Sequence, residues 1–174
     1  TGTSYVLMEI IKQLNEAGRG ASTFVTGTTG IAACNIGGVT IHSFAGCGLG
    51  DEPVDRMVQR ATTSSQTKKR WRQCRTLIID EISMMDADLF EKLAIVGSRA
   101  RDYPAPFGGI QLVLCGDFFQ LPPIGIDHRP NVRFCFEAGV WPKIIHENVI
   151  LSAVHRQREP EFVRLLNDCL LYTS

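Results

Sequence analysis

One stretch, Leu77-Ile78-Ile79-Asp80-Glu81, restricts the fold more than any other. Its apolar run is too short and too rich in β-branched residues for a helix of its own, so it reads as a buried strand. Two carboxylates follow at the strand's carboxyl end, where open α/β sheets hold their ligands. In nucleotide hydrolysis two such acids divide the work. The first helps to hold Mg²⁺, usually through water, and the second activates the attacking water. A plainer reading makes Asp80 and Glu81 caps of the helix that follows.

The rest of the chain decides between these readings. Its 174 residues suffice for one α/β domain with a full core. Apolar and charged contents of 44% and 21% place it among globular proteins. A formal net charge of zero removes any global basic footprint, so a nucleic-acid contact has to be a local patch or groove. Six cysteines without a C-x-x-C pair, and histidines without metal spacing, argue against zinc and for reduced, buried thiols in an intracellular protein. No apolar run is long enough to span a membrane and no signal peptide is visible. The chain lacks an initial Met and opens inside a motif-like segment, so it reads as a fragment.

That segment, Thr1-Gly2-Thr3-Ser4, precedes a helical pattern of Val6, Leu7, Ile10, Ile11 and Leu14. It matches the end of the phosphate-binding pattern G-x-x-x-x-G-K-[ST], with Thr3 at the lysine position. A capped helix start explains it equally well. Thr23 to Thr26 reads as a strand, Gly27-Thr28-Thr29-Gly30 as a loop, and Ile31 to Ile36 as a short helix. The loop hydroxyls suit phosphate oxygens of a nucleic-acid backbone, or bonds to their own turn. In Thr40 to Gly46, Phe44 can stack a base or belong to the core. Lys68, Lys69, Arg70, Arg72 and Arg75 surround Trp71. An amphipathic helix burying the Trp, with a solvated basic face, is preferred to a DNA patch. Asp86 is placed to cap a helix carrying Leu89, Phe90, Leu93, Ile95 and Val96. Ile110 to Cys115 is a further strand, leading to Asp117 and Gln120. Gln120 either senses a γ-phosphate or caps a Pro-terminated strand. Val149 to Leu151 reads as a strand and Glu159 to Leu171 as a helix. Arg156 between them either reaches a phosphate or pairs with an acid. The strands near Thr23, Leu77, Ile110 and Val149 are expected to lie parallel in one sheet. Ser4, Asp80 and Gln120 are then expected at one rim.

The ordered segments Thr1 to Ser4, Val25 to Ala33, Thr40 to Gly46, Leu77 to Met85, Gly109 to Pro123 and Leu151 to Gln157 together resemble the petite-integration-frequency (PIF-one-like) family of ATP-dependent DNA helicases. These belong to superfamily 1 and are related to RecD. The resemblance implies an α/β fold: a RecA-like P-loop NTPase domain with a mostly parallel sheet flanked by helices. It places the first motor domain at 1–148, truncated at its phosphate loop, and the start of the second at 149–174. It implies ATP and Mg²⁺, and 5′-to-3′ translocation on single-stranded DNA with unwinding of duplexes and forks. It also implies roles in DNA repair, recombination and telomere maintenance, in the nucleus or mitochondrion, as a monomer away from membranes. By position, Thr1, Gly2, Thr3 and Ser4 match the phosphate loop, and Ser4 and Asp80 match the metal-linked pair. Glu81 matches the general base, Gln120 the γ-phosphate sensor and Arg156 the second-domain arginine. Thr28, Thr29, His42 and Phe44 fall in the single-strand contact loops. The departure at Thr3 favours a rival reading, an inactive paralogue that binds DNA or acts as a scaffold. Another rival is a P-loop ATPase or kinase that never touches DNA. With that lysine and most of the second domain missing, the segment alone is expected to be inactive.

Overall fold

The structure, a computed structural model, describes residues 2–123 and 132–151. Its elements run in the order α1 (Thr3–Glu16), β1 (Thr23–Gly27), α2 (Gly30–Asn35), β2 (Val39–Thr40), α3 (Ile41–Ala45), α4 (Val54–Thr63), α5 (Ser65–Gln73), β3 (Thr76–Asp80), α6 (Ala87–Arg101), β4 (Gln111–Leu114) and α7 (Trp141–Ile144). The four strands form one sheet in the order β2-β1-β3-β4, with every pairing parallel. The expected parallel sheet flanked by helices is therefore present.

The strand containing Asp80 is buried along its whole length, as its unbroken apolar run requires. Alternate residues feed two cores. Leu77 and Ile79 face the larger one with Phe44, Trp71, Phe90 and Phe107, while Ile78 faces a smaller one with Leu7 and Ile36. Helices thus cover both faces. Asp86 caps α6 as expected, its Oδ1 accepting the Leu89 N–H at 2.8 Å. Trp71 is fully buried on α5, and its Nε1 donates to the Ala45 carbonyl at 3.3 Å. Arg70 donates to the Ser43 carbonyl at 2.9 Å, so part of the basic run serves packing, in line with the amphipathic-helix reading.

Two strand assignments change. The fourth strand is Val39–Thr40, pairing Thr26 with Val39, whereas Val149 to Leu151 forms no strand. Val149 and Ile150 are 85% and 89% exposed, so no neighbour within the described residues covers the aliphatic side chains that suggested one. Thr1, Arg156 and the expected helix from Glu159 to Leu171 lie outside the described residues.

Candidate active site

Strand register brings the candidate residues to one rim. Gly27, the last residue of β1, lies opposite Asp80, and Thr40 of β2 lies opposite Gly27. Ile79 lies opposite Leu114, so the loop from Gly116 to Gln120 leaves the same carboxyl edge. Helix α1 packs on one face of the sheet. The turn after it is tied to the amino end of the sheet by Arg19, which donates to Thr76 Oγ1 and Gln111 Oε1, each at 3.2 Å. The helix is about 21 Å long, and its Leu7 packs in the smaller core with Ile78 of the central strand and Ile36. Gly2 takes the N-cap position without any side-chain cap, and Ser4 is exposed.

Asp80 is 7% exposed, and burial raises its carboxyl pKa above the ordinary 3.8, opposed by the Glu81 N–H donated to Oδ1 at 3.0 Å. Glu81 adopts a left-handed backbone, with φ 54°, which turns the chain sharply at the strand end. Such a conformation is costly for a residue with a Cβ and persists only when its surroundings hold it. They do. The Ile82 N–H donates to the Cys115 carbonyl at 2.9 Å, joining the acidic turn to the end of β4. A Cβ on Gly116 would lie 2.9 Å from the Ile82 nitrogen, so only glycine allows that approach. Cys115, beside this turn, has its thiol pushed up to about 11 by burial, with the Asp80 charge adding to the effect.

Gln120 is tethered rather than loose. Its Nε2 donates to Asp117 Oδ2 at 2.8 Å, while Asp117 Oδ1 accepts the Phe119 N–H at 3.0 Å. Phe118 anchors this loop edge-on against Phe134 and Phe136, with ring centroids 5.9 and 4.9 Å away. The sequence reading missed this aromatic anchor. The widely spaced phenylalanines carry no periodic signal linking them.

The donor set suits a hard cation. A carboxylate at a strand end and a hydroxyl at a helix start are the oxygen ligands Mg²⁺ takes when substrate phosphates and water supply the rest. No cluster of three or more His, Cys, Asp or Glu able to hold a metal occurs among the described residues. A magnesium site of that kind does not need one.

The proposed DNA-contact residues divide. Thr29 caps α2, its Oγ1 accepting the Ala32 N–H at 3.1 Å, in a loop beside the acids. Thr28 points the other way. Its Oγ1 donates to the Glu81 carbonyl at 2.9 Å and its N–H to the Asp80 carbonyl at 3.1 Å. His42 is half-buried, and burial lowers its pKa from 6.5 despite the Leu49 backbone and the Asp86 charge, so it is a neutral imidazole at neutral pH. Phe44 requires correction as a base-stacking candidate. It is fully buried, with its ring against Phe24 at 5.3 Å and Trp71 at 4.9 Å.

Comparison with known proteins gives a consistent picture. A family model described as PIF1-like helicase matches residues 1–166. The chain is 47% identical over 173 residues to the ATP-dependent DNA helicase PIF1 of Emericella nidulans, covering 98% of this chain and 23% of that protein. It is 44% identical to the human protein of the same name, covering 95% of this chain and 25% of the relative. The chain thus spans about a quarter of the length of these curated relatives. Among solved structures, the Candida albicans Pif1 helicase superposes with a TM-score of 0.90 at 43% identity, over 97% of this chain and 38% of that one. A Bacteroides Pif1 helicase in complex with ADP-AlF3 and ssDNA superposes with a TM-score of 0.85 at 32% identity, over 99% of this chain and 41% of that one.

Proposed function

Because the chain belongs to the PIF1-like helicase family, we propose that it is the motor segment in which an ATP-dependent DNA helicase hydrolyses ATP and grips single-stranded DNA. In this reading residues up to 148 are the first motor domain and 149–174 begin the second. The complete protein translocates 5′ to 3′ and unwinds duplexes and forks in DNA repair, recombination and telomere maintenance, within the nucleus or mitochondrion.

The observation that carries the reading is the turn at Asp80 and Glu81. A buried central strand delivers both acids to one rim, and the hydroxyl loop after β1 is bonded directly to their backbone. Asp80 and Ser4 would hold Mg²⁺, whose charge would offset that of the nucleotide phosphates. Glu81 takes the proton from the attacking water, and the Gln120 amide orients that water or senses the γ-phosphate. Arg156 supplies positive charge from the second domain. Thr29 and the backbone N–H groups of the loops at 26–30 and 40–46 hold DNA phosphates with little reading of base edges. Thr3 supplies no cation to the phosphates. That feature favours a second reading, an inactive paralogue that only binds DNA.

One substitution separates the two. In the full-length polypeptide, Glu81→Gln should leave ATP binding intact and lower DNA-stimulated hydrolysis by roughly a hundredfold or more. Phosphate release measured with and without single-stranded DNA reads this. A parent protein with no DNA-stimulated hydrolysis supports the inactive paralogue. An active parent whose Glu81→Gln variant turns over normally removes Glu81 from the mechanism.

A further inference from the structure

We propose that Thr28 is a positioning residue for hydrolysis, holding the Glu81 backbone and linking the DNA-facing loop to the hydrolytic acid, rather than a DNA contact. The proposal rests on Glu81 acting as the general base. Its ground is the pair of bonds from one residue to two successive carbonyls: Thr28 N–H to Asp80 at 3.1 Å, and Thr28 Oγ1 to Glu81 at 2.9 Å. These bonds fall on the peptide units flanking the left-handed φ of 54° at Glu81. A strained residue is sensitive to the loss of such a tether, since relaxation towards ordinary backbone angles re-aims its side chain.

The chemistry of the hydroxyl argues against a phosphate contact. A threonine hydroxyl has one proton to donate, and a phosphate oxygen offers only acceptors. Here the proton goes to the Glu81 carbonyl. Reaching a phosphate would break the bond that holds the acid's backbone.

The loop also has little slack. Gly27 lies under α2 so closely that a Cβ there would sit 2.6 Å from the Ala33 nitrogen. Thr29 holds the start of the same helix through the Ala32 N–H at 3.1 Å. Thr28 stands between these two fixed points. A displacement of the α2 end by a bound strand therefore reaches the Asp80 and Glu81 carbonyls through a single residue. The arrangement gives DNA occupancy a direct route to the geometry of the water-activating carboxylate.

The test compares Thr28→Val, which keeps the shape and the N–H but removes the hydroxyl, with Thr28→Ser, which restores it. Both are made in the full-length protein. Turnover is measured at saturating oligo-dT, together with KM for ATP, DNA affinity by fluorescence anisotropy and the melting temperature. Thr28→Val should lower kcat by about tenfold, the rate equivalent of one hydrogen bond. KM, DNA affinity and melting temperature should stay near the parent values, and Thr28→Ser should recover most of kcat. Weakened DNA affinity with unchanged kcat at saturation would identify a phosphate contact and overturn the proposal. So would an unchanged kcat, or a loss that follows the melting temperature and is not rescued by Ser. Glu81→Gln is assayed alongside. If it turns over normally, the general-base reading itself fails. If it is inactive while Thr28→Val is silent, only the role of Thr28 fails.

Discussion

Phe44 offers the sharpest test of how this domain divides structure from function. It lies in a segment proposed above to contact single strands, yet its ring is fully buried between Phe24 and Trp71. Truncating such a side chain to alanine typically costs about 3–5 kcal/mol, from lost transfer energy and the cavity left behind. The upper part of that range applies. Both ring contacts disappear, and Trp71 cannot simply swing into the space while its Nε1 donates to the Ala45 carbonyl. A loss of about 4–5 kcal/mol lowers the melting temperature of a cooperative unit of this size by roughly 8–20 °C. Thermal unfolding of the full-length polypeptide, followed by tryptophan fluorescence, measures this. Anisotropy with a labelled oligo-dT, taken well below the transition, should show DNA affinity close to that of the parent. The argument is refuted if Phe44→Ala melts within about 3 °C of the parent and loses DNA affinity, because the ring would then be serving the strand and not the core.

Two further predictions concern pH. Burial raises the Asp80 pKa above 3.8, so the folded state keeps the proton longer, and stability is lost as pH rises through the folded value. Asp80→Asn should therefore melt higher than the parent at neutral pH and lose that advantage below pH 3.8; a gap that stays constant from acid to neutral pH would defeat the argument. Burial lowers the His42 pKa below 6.5, so the unfolded chain binds the proton more readily, and stability falls as pH drops from 6.5 through the folded value. His42→Gln should flatten that slope in melting experiments, and an unchanged slope would assign it to another group.

The parts of the fold legible in the sequence are those with a strong local signal. The run ending at Asp80 announced a buried strand because nothing polar interrupts it, and Asp86 announced α6 because a side-chain cap is a local bond. Strand β2 escaped notice because two residues make no pattern, and its existence depends on pairing with β1. Val149 to Leu151 misled for the converse reason: aliphatic composition suggests a strand only when a neighbour buries it. At the site, residue types pointed to the carboxyl rim, but the direction of each side chain did not follow from type. Thr28 and Thr29 are adjacent hydroxyls with opposite duties, one bonded inwards to Glu81 and the other capping α2. That difference is set by the register of Gly27 against Asp80, a long-range pairing that no window of sequence contains.

The rim is assembled from choices that each oppose folding. Asp80 is a carboxylate in a nearly closed site, Glu81 has a left-handed backbone, and Gly116 gives up a side chain so that Ile82 can approach. Local propensity would remove all three. They persist because the sheet beneath is over-determined. Every residue of β3 is buried, and the larger core joins that strand to α3, α4, α5 and α6 through Phe44, Met57, Trp71 and Phe90. The tethers at the rim are mostly backbone bonds, from Ile82 to Cys115 and from Thr28 to Asp80, which stay in place when individual side chains vary. Rigidity in the layer below therefore allows strain in the loop above, and under the proposed mechanism that strained loop is what aims the two acids. A domain built this way tolerates change in its exposed helix faces far better than at the few residues joining β1, β3 and β4 at their carboxyl ends.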